Sequence, residues 1–456
     1  MRWRLALFNT LSGSGIFARA LRGSAFTAGA YAVTQAMRLA SNLILTRLLF
    51  PEAFGIMALV SVVLVGLAMF SDVGIGPAIS QHKRGDDAAF LDTAWTINVV
   101  RGAALWGVTC LLAWPAAAFY GAPELAALLP AAGVSLLISG FNPTRIDTAN
   151  RHLLLGRVTA LDLVAQAIGI VAMVLLAWTM ASVWALVIGA IIGSLAKLAL
   201  MMWGLPGTTN RFRWEPAAGR DLIHFGKWIF LSTACGFLLS QGDKAILGAY
   251  LPLEGLGIYN IGYFLASFPV LLAGAVTGRI MIPIYRDRPP AASADNARRL
   301  RRLRYGLTVS VLALLGGMAL VGVPLVGVLY DARYAMAGGI VVAIACAQMP
   351  MVLGMTYDQA ALAAGDGRAY FAVIAVKAVV QTLLFLGGAH FYGLVGALIG
   401  QGLAQVLTYP ATVWIARRHR VWDAGHDAIC GALAAFLIGL ALWANAPALS
   451  ALLLSP

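Results

Sequence analysis

Charge is what this chain has least of: Asp, Glu, Lys and Arg make up 11% of its 456 residues, and the acids are the scarcer sign, 19 against 32 lysines and arginines. A soluble domain carries about 25% charged residues, so an ordinary water-facing surface is excluded. There are four cysteines, Cys110, Cys235, Cys346 and Cys430, with no Cys-x-x-Cys or Cys/His spacing. That excludes a chelated structural metal and leaves them as small core residues. The six histidines, His82, His152, His224, His390, His419 and His426, lie mainly in loops or at the ends of apolar stretches, with no His-x-x-x-His or Glu/His pair. No serine is legible beside a base, as a hydrolase nucleophile requires. Neither catalytic residues nor a metal or cofactor are expected. The first residues, Met1-Arg2-Trp3-Arg4-Leu5-Ala6-Leu7-Phe8, hold too short an apolar core for a cleaved signal and read as a cytoplasmic lead-in.

Apolar residues fill the space that charge leaves: 61% of the chain is hydrophobic. Crossing a bilayer takes about 20 predominantly apolar residues. Thirteen stretches qualify, approximately 25–48, 56–79, 89–115, 125–146, 158–180, 183–203, 222–250, 256–284, 304–330, 337–364, 369–390, 393–416 and 426–445. The fold class is therefore all-α, a polytopic membrane protein. Of the 32 lysines and arginines, 23 fall in alternate loops on the side of the N-terminus, one (Arg333) falls on the other side, and eight lie within the stretches. This imbalance predicts a cytoplasmic N-terminus. The basic run from Arg298 to Arg304 then marks a loop beside an anionic leaflet, and no nucleic-acid partner is expected.

The two halves echo each other. Leu49-Phe50-Pro51-Glu52-Ala53-Phe54-Gly55-Ile56 returns as Leu251-Pro252-Leu253-Glu254-Gly255-Leu256-Gly257-Ile258, Gly156-Arg157 as Gly367-Arg368, and Gly189-x-x-x-Gly193 as Gly396-x-x-x-Gly400. The offsets are 202, 211 and 207 residues, in the same order. A parallel repeat of two six-helix lobes around a central cavity follows, a common transporter design. The lobes would be residues 1–206 and 220–420, hinged in the 204–221 loop, with 421–456 an extra C-terminal helix and tail.

The eight cations within the stretches are Arg38, Arg47, Arg101, Lys197, Lys227, Lys244, Arg279 and Lys377. A charge at the bilayer centre costs roughly 2.5–3.5 kcal/mol on insertion scales, so such groups face a polar cavity or a partner, and cations suggest an anionic cargo. Arg47, Lys227 and Arg279 lie near stretch ends, from which long side chains snorkel to the headgroups. The other five are read as cavity-lining. Tyr31, Gln35, Arg38 and Asn42 share one helical face; Asn98 precedes Arg101, and Tyr370, Lys377 and Gln381, then Gln401, Gln405 and Thr408, form further polar stripes. These uncharged groups either line the cavity or bond neighbouring helices. Asp72, Asp162, Asp243 and Asp358 either bridge these cations across the bundle, the default reading, or hold a coupling ion.

Residues 41–55, Ser41-Asn42-Leu43-Ile44-Leu45-Thr46-Arg47-Leu48-Leu49-Phe50-Pro51-Glu52-Ala53-Phe54-Gly55, followed by Phe70-Ser71-Asp72-Val73-Gly74-Ile75-Gly76-Pro77-Ala78-Ile79, resemble the opening of the bacterial polysaccharide transporter family. Gln241-Gly242-Asp243-Lys244-Ala245-Ile246-Leu247-Gly248 and Leu256-Gly257-Ile258-Tyr259-Asn260-Ile261-Gly262-Tyr263 are similar to its seventh and eighth spans. These are Wzx-type flippases of the multidrug/oligosaccharidyl-lipid/polysaccharide exporter superfamily. The resemblance covers nearly all of residues 1–420. It implies a V-shaped cavity between two lobes in the bacterial inner membrane, and export of an undecaprenyl-diphosphate-linked oligosaccharide by alternating access. It also implies polysaccharide polymerase and glycosyltransferase machinery as partners. Thirteen spans depart from both the twelve-span layout and the fourteen-span lipid II flippases. A cation-coupled multidrug exporter of the same superfamily ranks second, since eight cations outnumber about four clear acids within the stretches. A membrane glycosyltransferase or polymerase should carry a large outer loop with acids or histidines, which this chain lacks.

Overall fold

The computed structural model describes residues 16–72, 74–152, 154–226, 229–287 and 289–453, and every element among them is helical. Lys227 lies outside the described residues, as does the side chain of Arg279. Packing divides the chain into two units. The first takes the described residues up to Leu49 together with Val60–Thr233, and the second takes Phe50–Leu59 with Ala234 onward.

The first unit holds α1 (Ile16–Leu48), the second half of α2 (Pro51–Phe70), α3 (Ile75–Gln81), α4 (Ala88–Tyr120), α5 (Leu125–Gly140), α6 (Arg145–Arg151), α7 (Leu155–Met180), α8 (Trp184–Gly204) and α9 (Pro216–Gly226). The second holds most of α10 (Ile229–Tyr250), then α11 (Leu253–Asp287), α12 (Ala294–Leu329), α13 (Ala337–Gly354), α14 (Asp358–Ala363), α15 (Gly367–Arg418), α16 (Ala424–Ala444) and α17 (Ala446–Leu453). Short polar residues start several of these helices by accepting from their orphan backbone amides: Asp87 for α4, Ser293 for α12, Asp366 for α15 and Asp423 for α16.

Among the described residues nine helices are long and apolar enough to cross a membrane, ten with the pair α5–α6, which bends by 56°. The protein is a multi-pass membrane protein. Helix α15 is counted once there, yet its 52 residues would extend about 78 Å as one rod, more than twice the hydrocarbon core of a bilayer. It is a hairpin. The chain reverses at Tyr392 and Gly393, the glycine taking φ 58°. Past the turn, Gly396 and Gly400 lie against the backbone of Gly388 and Leu384, where a Cβ would overlap a carbonyl oxygen. In the first unit α7 and α8 form a matching hairpin, with Gly193 against Gly169 and Gly189 against Met173. Both repeated Gly-x-x-x-Gly motifs thus mark the crossing of a helical hairpin, where missing side chains let backbones touch.

The other repeated motif folds onto itself. A Cβ on Gly55 would overlap the carbonyl of Leu253, and one on Gly257 would overlap that of Pro51. The two echoes therefore cross reciprocally through equivalent glycines, Gly55 and Gly257, both inside the second unit.

The thirteenth span is closely packed: Cys430, Ala434 and Ala441 of α16 enter the core of the second unit with Leu312, Leu315 and Ala319 of α12 and Val342, Ala345 and Met349 of α13. Its small residues allow that close approach. The segment expected as the hinge is fixed to the first unit, because Arg145 donates to the carbonyls of Met202 and Thr208, and Asn210 exchanges hydrogen bonds with Thr144. Of the cysteines, Cys346 and Cys430 are buried in this core, while Cys110 and Cys235 are half-buried.

Candidate functional site

In the first unit the polar face of α1 places Gln35 inside, Tyr31 and Asn42 half-buried and Arg38 exposed. Gln35 Nε2 donates to the Tyr31 hydroxyl at 2.8 Å, while its Oε1 is buried without a hydrogen-bond partner. Arg101, four turns into α4, donates from Nε to Ser71 Oγ at 3.0 Å and from Nη2 to the Ala68 carbonyl at 2.9 Å. The end of α2 thereby fixes its guanidinium. Asp72 lies in electrostatic range of Arg101 and accepts from the Gly74 amide at 2.9 Å. Lys197 of α8 meets Asp162 of α7 at 2.8 Å, and both side chains stay 41% exposed.

In the second unit Lys377 of α15 meets Asp358 of α14 at 2.7 Å, and each is only 17% exposed. One turn further along α15, Gln381 Oε1 accepts from Gln405 Nε2 across the hairpin at 3.1 Å. Gln401, one turn before Gln405, buries its Oε1 without a partner. Adjacent Asp243 and Lys244 separate, as neighbours on a helix must. Asp243 turns inward and accepts from the Tyr259 hydroxyl at 2.7 Å, whereas the Lys244 ammonium sits 5.2 Å from the centre of the Tyr263 ring. The acids thus take different partners: Asp162 and Asp358 each bind an ammonium, Asp243 a phenol and Asp72 a backbone amide.

The sequence-derived residues divide by unit. Gln35, Arg38, Asn42, Asp72, Arg101, Asp162 and Lys197 belong to the first, and Asp243, Lys244, Asp358, Lys377, Gln381, Gln401 and Gln405 to the second. Within a unit, direct meetings among them include Lys197 with Asp162, Lys377 with Asp358, and Gln381 with Gln405. Arg47, read as snorkelling, is exposed in the last turn of α1.

Sequence reasoning missed a polar node at the start of α16. Arg304, counted as a loop cation, is 2% exposed inside α12. It donates to Tyr285 Oη at 3.0 Å and Thr356 Oγ1 at 3.2 Å, and lies 4.4 Å from the centre of the Tyr357 ring. Such a desolvated cation–π contact is worth about 2 kcal/mol. The Tyr357 and Tyr409 hydroxyls and Trp422 Nε1 all donate to Asp427. His426 Nδ1 pairs with Asp427 at 2.8 Å and its Nε2 with Thr308 Oγ1 at 3.0 Å. A hydroxyl, an imidazole and a carboxylate thus stand in hydrolase-like order, although no such pairing was legible. Thr308 and His426 are both 0% exposed, so no substrate carbonyl reaches the hydroxyl, and the chain of bonds pins α16 to its neighbours. The adjacent His426-Asp427 at the head of an apolar stretch was the available signal.

Outside the spans, Arg418 holds Asp366 below the usual carboxylate range and so ties the two ends of the α15 hairpin together. Arg84 does the same to Glu215 through a two-pronged contact.

Among known proteins, the chain is similar to the succinoglycan biosynthesis transport protein ExoT of Rhizobium meliloti (strain 1021), with 23% identity over 379 residues, 82% of this chain and 75% of that one. It is also 23% identical over 222 residues to the teichuronic acid biosynthesis protein TuaB of Bacillus subtilis (strain 168), covering 47% of this chain but only 44% of TuaB. Among solved structures, the lipid II flippase MurJ in an inward closed conformation superposes with TM-score 0.67 at 10% identity, over 91% of this chain and 97% of MurJ. An inward-facing multidrug resistance MATE family transporter of the MOP superfamily gives 0.61 at 15% identity, over 85% and 94%. These two likenesses establish the transporter fold. The family model described as polysaccharide biosynthesis protein matches residues 44–338, and with that much of its 456 residues matched the chain belongs to the polysaccharide biosynthesis protein family.

Proposed function

We propose that this protein is a flippase. It moves a polyprenyl-diphosphate-linked oligosaccharide from the inner to the outer leaflet of the bacterial inner membrane, by alternating access of two six-helix lobes, residues 1–206 and 220–420. The N-terminus is cytoplasmic, and the exported repeat unit feeds exopolysaccharide, capsule or lipopolysaccharide assembly. The observation that carries this reading is that cations inside the spans are held in place without all being sealed. Arg38 is exposed, and the Lys197 side chain is 41% exposed although paired. A diphosphate is a dense anion, and a cation in low dielectric attracts it far more strongly than in water. Arg38, Arg101, Lys197, Lys244 and Lys377 supply compensating charge, while Gln35, Asn42, Gln381, Gln401 and Gln405 offer hydrogen bonds to sugar hydroxyls. The succinoglycan transport protein ExoT and the lipid II flippase MurJ, to which the chain is similar, support the same reading. Partner enzymes would be the glycosyltransferases that build the lipid-linked unit and the polymerase that consumes it.

The Lys377–Asp358 pair decides how to test the site. Replacing Lys377 alone removes a cation and also leaves a sheltered carboxylate unpaired, so loss of export by itself is ambiguous. The informative protein is Lys377→Ala/Asp358→Asn, which restores neutrality. If Lys377 meets the diphosphate, polymer export stays lost in the double variant while the protein remains in the membrane. Recovery of wild-type export would reduce Lys377 to a structural partner.

A further inference from the structure

The connection from α8 to α9 is held as an extended strap. The Arg211 amide donates to Asp92 Oδ1 at 3.0 Å, the Arg213 amide to Thr96 Oγ1 at 3.1 Å, and the Glu215 amide to Thr93 Oγ1 at 3.1 Å. Every second backbone amide is thereby tied to one face of the first turns of α4. The Phe212 ring rests 4.8 Å from that of Trp95, and Glu215 is gripped by Arg84. What the strap displays is unlike an ordinary loop: Phe212 is 66% exposed, Trp214 is 57% exposed, and Arg211 and Arg213 are exposed between and beside them. Neither arginine forms an ion pair among the described residues.

We propose that residues 211–214 form a binding site for the headgroup of an anionic phospholipid. Two arginines alternate with two aromatic rings beside the first turns of α4, a helix long and apolar enough to span the membrane, and each group matches a different part of one ligand. The guanidinium forks match phosphate oxygens. The amphipathic rings settle at headgroup depth, where one edge meets glycerol and water and the other meets the first methylenes. Of the neighbouring acids, Asp87 and Glu215 are engaged by Arg84, Asp86 by Arg151 and His152, and Asp92 accepts from the Arg211 amide. The strap is rigid for a structural reason, since its bonds run through backbone amides. It therefore presents the four side chains in fixed order, and changing those side chains leaves the lashing intact. The site is separate from the cations inside the spans and rests on the proposed orientation only for which leaflet it reads.

The test uses the full-length protein in nanodiscs of phosphatidylcholine containing phosphatidylglycerol with a diazirine in its headgroup, followed by peptide mapping. Both leaflets carry the probe, so the outcome does not depend on orientation or on transport. Labelling is expected on the peptide containing residues 211–214, and a phosphatidylcholine diazirine should leave that peptide unlabelled. Each arginine near an anionic surface contributes about fivefold in affinity, so Arg211→Gln/Arg213→Gln should weaken labelling there on the order of 25-fold. Phe212→Ala/Trp214→Ala should shift the label without abolishing it. Equal labelling by both probes, unchanged labelling in the arginine variant, or displacement by millimolar inorganic phosphate would overturn the proposal.

Discussion

Among the described residues each unit carries one lysine–aspartate ion pair, and the two differ in shelter more than in length. Lys197–Asp162 measures 2.8 Å with both side chains 41% exposed, whereas Lys377–Asp358 measures 2.7 Å at 17%. An open pair retains solvent or ligand access and contributes little stability, about 0–1 kcal/mol. A sheltered pair holds its geometry, but removing one partner strands a charge, at about 3–5 kcal/mol for full burial. The first suits a group that exchanges partners readily during a cycle, and the second a charge whose geometry is set before the anion arrives.

The hairpins on which the pairs sit offer the strongest way to break this comparison. In the second unit Gly396 lies against a backbone carbonyl, which cannot move aside, so Gly396→Leu should remove the folded protein from the membrane fraction, read by immunoblot. In the first unit a Cβ on Gly193 would stand 3.2 Å from the Gly169 Cα, and Gly193→Ala should cost only about 1–2 kcal/mol, read as a lowered midpoint in a detergent thermal-unfolding series. Equal tolerance at both sites would erase the distinction between the hairpins.

The pairs themselves come next. Lys377→Ala should destabilise the protein by roughly 3 kcal/mol, with Asp358→Asn recovering most of that in the double variant. Lys197→Ala should change stability by less than about 1 kcal/mol and yet impair export at least as severely. A thermal midpoint that falls equally for both lysines would show the two pairs to be the same device.

The smallest effect concerns pH. Arg84 holds Glu215 below its ordinary range. A depressed carboxylate stabilises the fold above the unfolded value, about pH 4.3, and loses that contribution as pH falls through the folded value. Between about pH 8 and about pH 5 the strap should therefore stay closed. Exchange protection of the Arg211, Arg213 and Glu215 amides, corrected for intrinsic rates, should be level across that window.

Much of this was legible because a membrane allows few solutions. Nine of the thirteen apolar stretches correspond to one helix or one arm of the α15 hairpin, while 56–79, 125–146, 222–250 and 337–364 each run across two helices; the echoed glycines mark real backbone crossings, since only glycine fits where a carbonyl lies against a Cα. What sequence could not show was pairing across distance. Lys377 and Asp358 are 19 positions apart on different helices, and Arg304 looks like a loop cation because its own segment is basic. Its burial comes from Tyr285, Thr356 and Tyr357, contributed by segments before and after it. The thirteenth span looked additional because nothing in its apolar run reveals that Cys430 and Ala434 pack against α12 and α13.

The central claim is movement of a diphosphate-linked glycan across the bilayer. The direct measurement reconstitutes the full chain in proteoliposomes holding a fluorescent polyprenyl-diphosphate oligosaccharide, and follows its accessibility to an impermeant glycosidase. The account predicts that wild-type protein makes the inner-leaflet pool accessible and that Lys377→Ala/Asp358→Asn does not. A glycan that stays in its leaflet with folded wild-type protein, or that crosses equally well with the double variant, would contradict it.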